Sequence, residues 1–164
     1  RKNPSYLALI TDAYSKKIMG YNVSDSLNVK GSLFALEMAL KNRVYKNEPI
    51  IHHSDRGLQY CSNEYQQILD KNDIRPSMTE QYDPYENAIA ERINGVLKQE
   101  FAVDKYDTNL EIKSELVRNA IKIYNNLRPH LSNYMLTPNQ MHRKKQLKEN
   151  SIKTKKVVIK NHYL

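Results

Sequence analysis

The run YLALITD near the start of the chain is almost wholly apolar. After the polar AYSK, residues 17–23, KIMGYNV, alternate, with Ile18, Gly20 and Asn22 on one side and Met19, Tyr21 and Val23 on the other. This predicts a β-hairpin or a pair of adjacent strands. Leu33, Leu36, Leu40 and Val44 then recur at helical spacing with Phe34 beside them, so a helix is expected from a cap at Ser26 or Asn28 to about Tyr45, ended by Pro49. IIHHS at 50–54 reads as a short buried strand that stops at Asp55, and Arg56-Gly57 breaks regular structure after it.

Ser62 is placed to cap a helix over about 63–72, with Tyr65, Ile68 and Leu69 inward. Ile74 to Met78 is a strand candidate in which Pro76 suits an edge, and the polar, Pro84-containing stretch 79–85 resembles a mobile loop. Helices are expected over 86–103 and 109–126, the second with Leu110, Leu116, Val117, Ala120, Ile121 and Tyr124 as its apolar stripe. Arg128-Pro129 closes it, and Thr137-Pro138 opens a last helix to about Leu147. Strands first, then helices alternating with strands, indicate an α/β domain with a mixed sheet.

At 164 residues the chain suits one domain. No stretch approaches the roughly 20 apolar residues of a membrane span, and no charged-then-apolar leader is present, so membrane and secreted readings recede. The single Cys61 makes no internal disulfide and suits a reducing compartment. Charge divides the chain: of the net +8, residues 143–164 carry eight Lys or Arg against Glu149 alone. A nearly neutral body, 1–142, is thus expected to carry a basic tail, 143–164, whose Lys144 and Lys145 are candidate phosphate contacts. A plain solvated extension accounts for the tail equally well.

Two carboxylates stand out. Asp55 ends the IIHHS strand, where open α/β sheets place their ligands, and Gly57 allows close backbone approach; a turn-initiating Asp is the simpler alternative. At about 100° per residue, Asn87, Glu91, Gly95 and Lys98 fall in one narrow sector of their helix, opposite Ile89, Ile93, Val96 and Leu97. Glu91 is therefore presented away from the packed face, either to a ligand or to solvent. Thirty-five residues separate Asp55 from Glu91, enough for a helix, a strand and a loop to bring the second back to the first. His52 and His53 alternate faces of a strand, which disfavours zinc, and His52 is expected at the rim of the core. Cys61 is expected to be a small buried residue, and Tyr14, Tyr60 and Tyr65 to pack or to stack on bases.

Four segments in order, YLALITDAYSKKIMGY, HSDRGLQYCS, YENAIAERINGVLKQE and YNNLRPHLSNYMLTP, resemble the DDE transposases and retroviral-type integrases, most closely the transposases of bacterial insertion sequences. The resemblance implies a ribonuclease H-like mixed sheet flanked by helices and a polynucleotidyl-transferring enzyme that hydrolyses a DNA end and joins it to a target duplex. It implies that Asp55 and Glu91 are the second and third acidic residues of a triad holding Mg²⁺ or Mn²⁺, two ions in the complete enzyme. Such hard ions prefer carboxylate oxygens, and a pair of them can activate a nucleophile and stabilise the phosphate under attack. Lys98 matches a DNA-end contact, and Asn87 and Tyr82 match loop residues that touch DNA. DNA and further copies of the chain are the implied partners, and the bacterial cytoplasm, at the nucleoid, the implied location.

The resemblance also implies a first acidic residue on a strand preceding YLALITD. That strand is expected to be missing here, leaving a central position of the sheet to be filled by a swapped segment, a partner's strand or a rearranged edge. Self-association and little or no strand transfer follow as expectations. Asp12 is expected to cap the turn near Ser15 rather than to bind metal. Arg128-Pro129-His130, which resembles a family motif, reads as a rigid turn anchoring the last helix or as a DNA contact. Two other functions stay open: a non-catalytic DNA-binding and self-assembly module, and a nuclease cutting RNA–DNA hybrids.

Overall fold

The computed structural model describes residues 4–78, 88–144 and 155–163. Strands β1 (Tyr6–Asp12) and β2 (Ile18–Ser24) form the expected antiparallel hairpin. Helix α1 (Val29–Lys41) follows, its first turn closed by the Asn28 side chain, which accepts from Lys30 N at 3.0 Å. Strand β3 (Ile50–Ser54), helix α2 (Asn63–Lys71) and strand β4 (Ile74–Met78) make a parallel strand–helix–strand unit. Helices α3 (Ala88–Gln99), α4 (Leu110–Leu127) and α5 (Pro138–Lys144) come next, and β5 (Lys155–Tyr163) is the last described element.

Helix α1 ends short of Tyr45. Asn42 donates to Met19 O at 2.9 Å, and Arg43 donates to the carbonyls of Tyr45 and Glu48, so the backbone leaves the helix to satisfy these side chains. Val44 and Phe34, placed by pattern near the apolar stripe, are exposed, while Leu33, Ala35 and Leu36 are buried. Close contact between α1 and β2 depends on Gly20: a Cβ there would collide with the Ala35 carbonyl and lie 2.8 Å from Ala39 N. The loop expected at 79–85 lies outside the described residues.

Helices cover both faces of the sheet. Ala8 and Ile10 of β1 join Met19, Leu33, Leu36, Tyr65 and Leu69 in one core under α1 and α2. Leu7 and Leu9, on the opposite face, join Ile93, Val96, Leu97, Val117, Ile121 and Tyr124 under α3 and α4. Strand alternation thus splits one strand's side chains between two cores. Lys113 interrupts the expected stripe of α4; it is buried and donates to Ser5 Oγ at 2.9 Å, whereas Leu110 stays at the surface.

The order of the five strands is β2-β1-β5-β3-β4. The central position expected to be vacant is filled from within the chain: β5 pairs antiparallel with β1 and parallel with β3. Residues 155–163 therefore belong to the sheet and do not extend from the body, and α5 runs across the expected boundary between 142 and 143. A vacancy in the sheet accordingly no longer supplies a reason to self-associate.

Candidate active site

Asp55 lies immediately beyond the carboxyl end of β3, half-buried. Its Oδ1 accepts from Gly57 N at 2.9 Å, and Gly57 O accepts from Tyr60 N at 2.9 Å, so the carboxylate is set by two tight turns. Beneath this loop Tyr60 is fully buried, edge-on to Tyr65 with ring centroids 5.5 Å apart. Burial, with the Asp55 charge adding to it, holds the Tyr60 phenol protonated far above its ordinary range. Both tyrosines are packing residues, and Tyr14 alone of the three considered for stacking is at the surface. His52 is buried within the core, its Nε2 2.9 Å from Tyr65 Oη, and burial lowers its pKa to about 4, so it stays neutral. His53 is likewise buried, its Nδ1 3.2 Å from Ser77 Oγ across to β4. Cys61 is exposed, since the turn carrying it lies at the surface with its sulfur 3.8 Å from Met78 Sδ.

Glu91 sits in the first turn of α3 and is exposed, while Ala90, Ile93, Val96 and Leu97 turn inward. Lys98 is half-buried in the last turn. Helix α3 packs against β5, the strand beside β3. Lys144 is the last residue of α5; Tyr82, Asn87 and Lys145 lie outside the described residues.

Asp12 is occupied elsewhere. Its carboxylate accepts from Ser15 Oγ at 2.6 Å, Ser15 N at 3.3 Å, Tyr14 N at 3.3 Å and His142 Nδ1 at 3.0 Å, and it is only 3% exposed. Register separates it further from Asp55. Asp12 is level with Val157 and His52, three residues short of Asp55 and two strands away. A rise of about 3.3 Å per residue and about 4.8 Å per strand put the two Cα atoms roughly 14 Å apart, too far to share an ion. Asp12 is the turn cap expected from the sequence.

Among the described residues no three His, Cys, Asp or Glu side chains form a metal-sized cluster. Continuing the parallel register Ser54↔Ile159 by one residue sets Lys160 level with Asp55, and β5, KKVVIKNHY, contains no carboxylate. Asp55 and Glu91 suit a hard divalent cation in kind, but the described residues supply no third carboxylate.

The integrase core domain family matches residues 1–84, and a second integrase core domain family matches residues 72–138. The chain belongs to the integrase core family. Similar proteins include a putative transposase for insertion sequence element IS986/IS6110 of Mycobacterium tuberculosis, 38% identical over 100 residues, 58% of this chain and 36% of that protein. The transposase InsF for insertion sequence IS3A of Escherichia coli is 34% identical over 140 residues, 85% of this chain and 48% of the relative. The chain thus spans between a third and a half of the curated relatives it matches. Among solved structures, the HTLV-2 integrase catalytic core domain in complex with magnesium aligns with a TM-score of 0.62 at 18% identity, covering 84% of each chain. The catalytic core domain of BIV integrase aligns at 0.66 and 15% identity, over 86% of this chain and 87% of that one. The fold is the ribonuclease H-like fold of these integrase cores.

In this integrase core the segment YNNLRPHLSNYMLTP is a clamp. Asn125 accepts from Ile18 N at 3.0 Å and donates to Ile18 O at 2.9 Å, pairing with β2 as another strand would. Tyr124 Oη donates to Lys16 O, and Asn133 Nδ2 to Ser15 O. Arg128 grips Glu100 with two nitrogens, at 2.6 and 2.5 Å, joining the end of α4 to the end of α3. Thr137 and Gln140 exchange hydrogen bonds around Pro138 and start α5. Of the two readings of Arg128-Pro129-His130, these contacts realise the rigid turn. The sequence reading missed Asn125 and Asn133; the available signal was a polar residue beside Tyr124 on an otherwise apolar stripe.

Proposed function

We propose that this chain is the catalytic-core portion of a bacterial transposase that transfers DNA strands by phosphodiester chemistry. The observation that carries the reading is Asp55 at the carboxyl edge of the sheet, followed by Glu91 on the exposed side of α3, in an integrase core. Asp55 and Glu91 would hold Mg²⁺ or Mn²⁺, which when bound supplies an activated oxygen nucleophile and stabilises the phosphate under attack. Lys98, Asn87 and Tyr82 would meet the transposon end, and Lys144 and Lys145 the DNA backbone. The partners are transposon ends, target duplex and further copies of the chain, in the cytoplasm at the nucleoid; among the described residues no helix is long and apolar enough to cross a membrane. Among the described residues no third carboxylate joins Asp55 and Glu91, and on that footing this portion of the chain is expected to bind metal weakly and to transfer strands poorly or not at all.

The test is Mn²⁺ titration followed by water proton relaxation, with duplex binding measured in parallel. Asp55→Asn and Glu91→Gln should each abolish the Mn²⁺ signal and leave folding intact. Equal binding by wild type and both variants would overturn the assignment. Duplex binding without any Mn²⁺ binding favours the non-catalytic DNA-binding module, for which the carboxylate-free β5 speaks. Robust Mn²⁺-dependent nicking of a labelled end that is lost on Asp12→Asn would reverse the role given to Asp12.

A further inference from the structure

We propose that the outer face of α4 docks against the same face of a second copy of this chain, the two helices pairing antiparallel about a two-fold axis. Helix α4 carries two apolar stripes. The first, Val117, Ala120, Ile121 and Tyr124, is buried against the body. The second, Ile112, Leu116, Ile123 and Leu127, turns away from it. Leu116 is half-buried, and Ile112, Ile123 and Leu127 are 47%, 44% and 70% exposed. With the exposed Asn119 between them, these residues stand at i, i+4, i+7, i+11 and i+15, a single seam along the helix. Apolar side chains scattered singly over a surface are ordinary, but four in one seam about 22 Å long make a contact surface. Helix α5 meets α4 at Asn126, where Asn139 donates at 2.6 Å, beside the seam and not on it.

Charge identifies the occupant as the same face of another copy. Beside the seam runs a second exposed row, Glu111, Glu115, Arg118 and Lys122, at i, i+4, i+7 and i+11. Its N-terminal half is acidic and its C-terminal half basic, so the row is complementary to itself reversed. A two-fold axis across two antiparallel helices keeps the row on the same side of both and lays each acidic half along the other's basic half. With the axis at Asn119, Glu115 comes level with the partner's Lys122, to within one residue. Ile112 comes level with the partner's Leu127, and Leu116 with the partner's Ile123, to the same tolerance. One register thus satisfies the apolar seam and the charged row together. Asn119 meets the partner's Asn119 at the axis, and a lone amide pair in an apolar seam fixes register and orientation. This interface deepens the part of the proposed function that counts further copies of the chain as partners. It rests on that part alone and not on metal binding by Asp55 and Glu91.

The experiment is sedimentation equilibrium of the full chain from micromolar to millimolar concentration, with circular dichroism to check folding. Wild type should dimerise as concentration rises, and Ile123→Glu should stay monomeric, because it drives two carboxylates into the seam of each dimer. Leu127→Glu, at a more exposed position, takes its place if Ile123→Glu does not fold. Glu115→Lys and Lys122→Glu should each weaken the dimer about tenfold, since every reversal acts twice across the axis. The double variant Glu115→Lys with Lys122→Glu should recover most of the loss, because it exchanges the two charges and keeps the pairing. A dimer indifferent to the seam substitutions would overturn the docking surface while leaving self-association in place. Charge reversals without effect, or without recovery in the double variant, would overturn the antiparallel pairing. A chain that is monomeric at millimolar concentration would overturn both the surface and the reading of further copies as partners. Mn²⁺ titration of the same variants reads the Asp55 and Glu91 assignment separately, so failure of the interface and failure of the metal site are told apart.

Discussion

Acidification should loosen this fold through His52. The imidazole is 2% exposed, 2.9 Å from Tyr65 Oη, and its pKa falls from 6.5 to about 4 because burial disfavours the cation, with the neighbouring His53 acting in the same direction. The unfolded chain takes up this proton below about pH 6.5 and the folded chain only below about pH 4. Between those values the unfolded state holds more protons, so stability present above pH 6.5 is lost progressively as pH falls towards 4. Integrated from pH 7 to pH 5, the loss is about 2 kcal/mol, and the full shift corresponds to roughly 3 kcal/mol. Urea unfolding at pH 7, 6 and 5 measures it, with His52→Gln as the reference: the amide can still meet Tyr65 Oη but does not titrate. Wild type should lose about 2 kcal/mol more than His52→Gln between pH 7 and 5. Parallel pH profiles for the two proteins would refute the argument. The consequence for function is local, since His52 anchors the strand that three residues later presents Asp55.

Two further perturbations separate structural from functional roles. Asp12→Asn leaves His142 Nδ1 and Ser15 facing an amide in place of a carboxylate and should cost about 2 kcal/mol in urea unfolding through the weakened hydrogen bonds, with Mn²⁺ affinity unchanged; a stable variant that has lost metal binding would make Asp12 a ligand. Gly20→Ala should destabilise by about 2 kcal/mol, because α1 must retreat from β2, whereas Gly95→Ala, with nothing within 4 Å of its added Cβ, should stabilise α3 by up to about 1 kcal/mol. Thermal melts of the pair check the contrast; equal shifts would mean that α1 does not rest on Gly20.

The parts of the fold visible in the sequence are those governed by local rules. YLALITD, KIMGYNV and IIHHS become β1, β2 and β3, and Asn28, Ser62 and Thr137 cap helices because a side-chain oxygen next to a periodic stretch is a local signal. The placements of Asp55 after β3 and of Glu91 on the exposed side of α3 follow from similar local signals, the end of a strand and the rim of a helical wheel, whereas their pairing as a site rests on the family resemblance. The clamp through Asn125 and Asn133 was not, because its partners, the Ile18 backbone and Ser15 O, lie 107 and 118 residues away and leave no periodic trace.

Strand β5 is the case where a local rule pointed the wrong way. Its lysines make residues 143–164 read as a basic tail, either a phosphate-binding arm or a solvated extension, and composition does not place them in a sheet. What recruits the segment into the sheet is the demand of β1 and β3, whose inward edges would otherwise leave a row of unpaired donors and acceptors between two apolar cores. Backbone hydrogen bonding accepts any sequence that lacks proline, so it can seat KKVVIKNHY where side-chain preference alone would not. The same demand makes β5 a strand bonded on both sides, and seats it beside the strand that leads into Asp55.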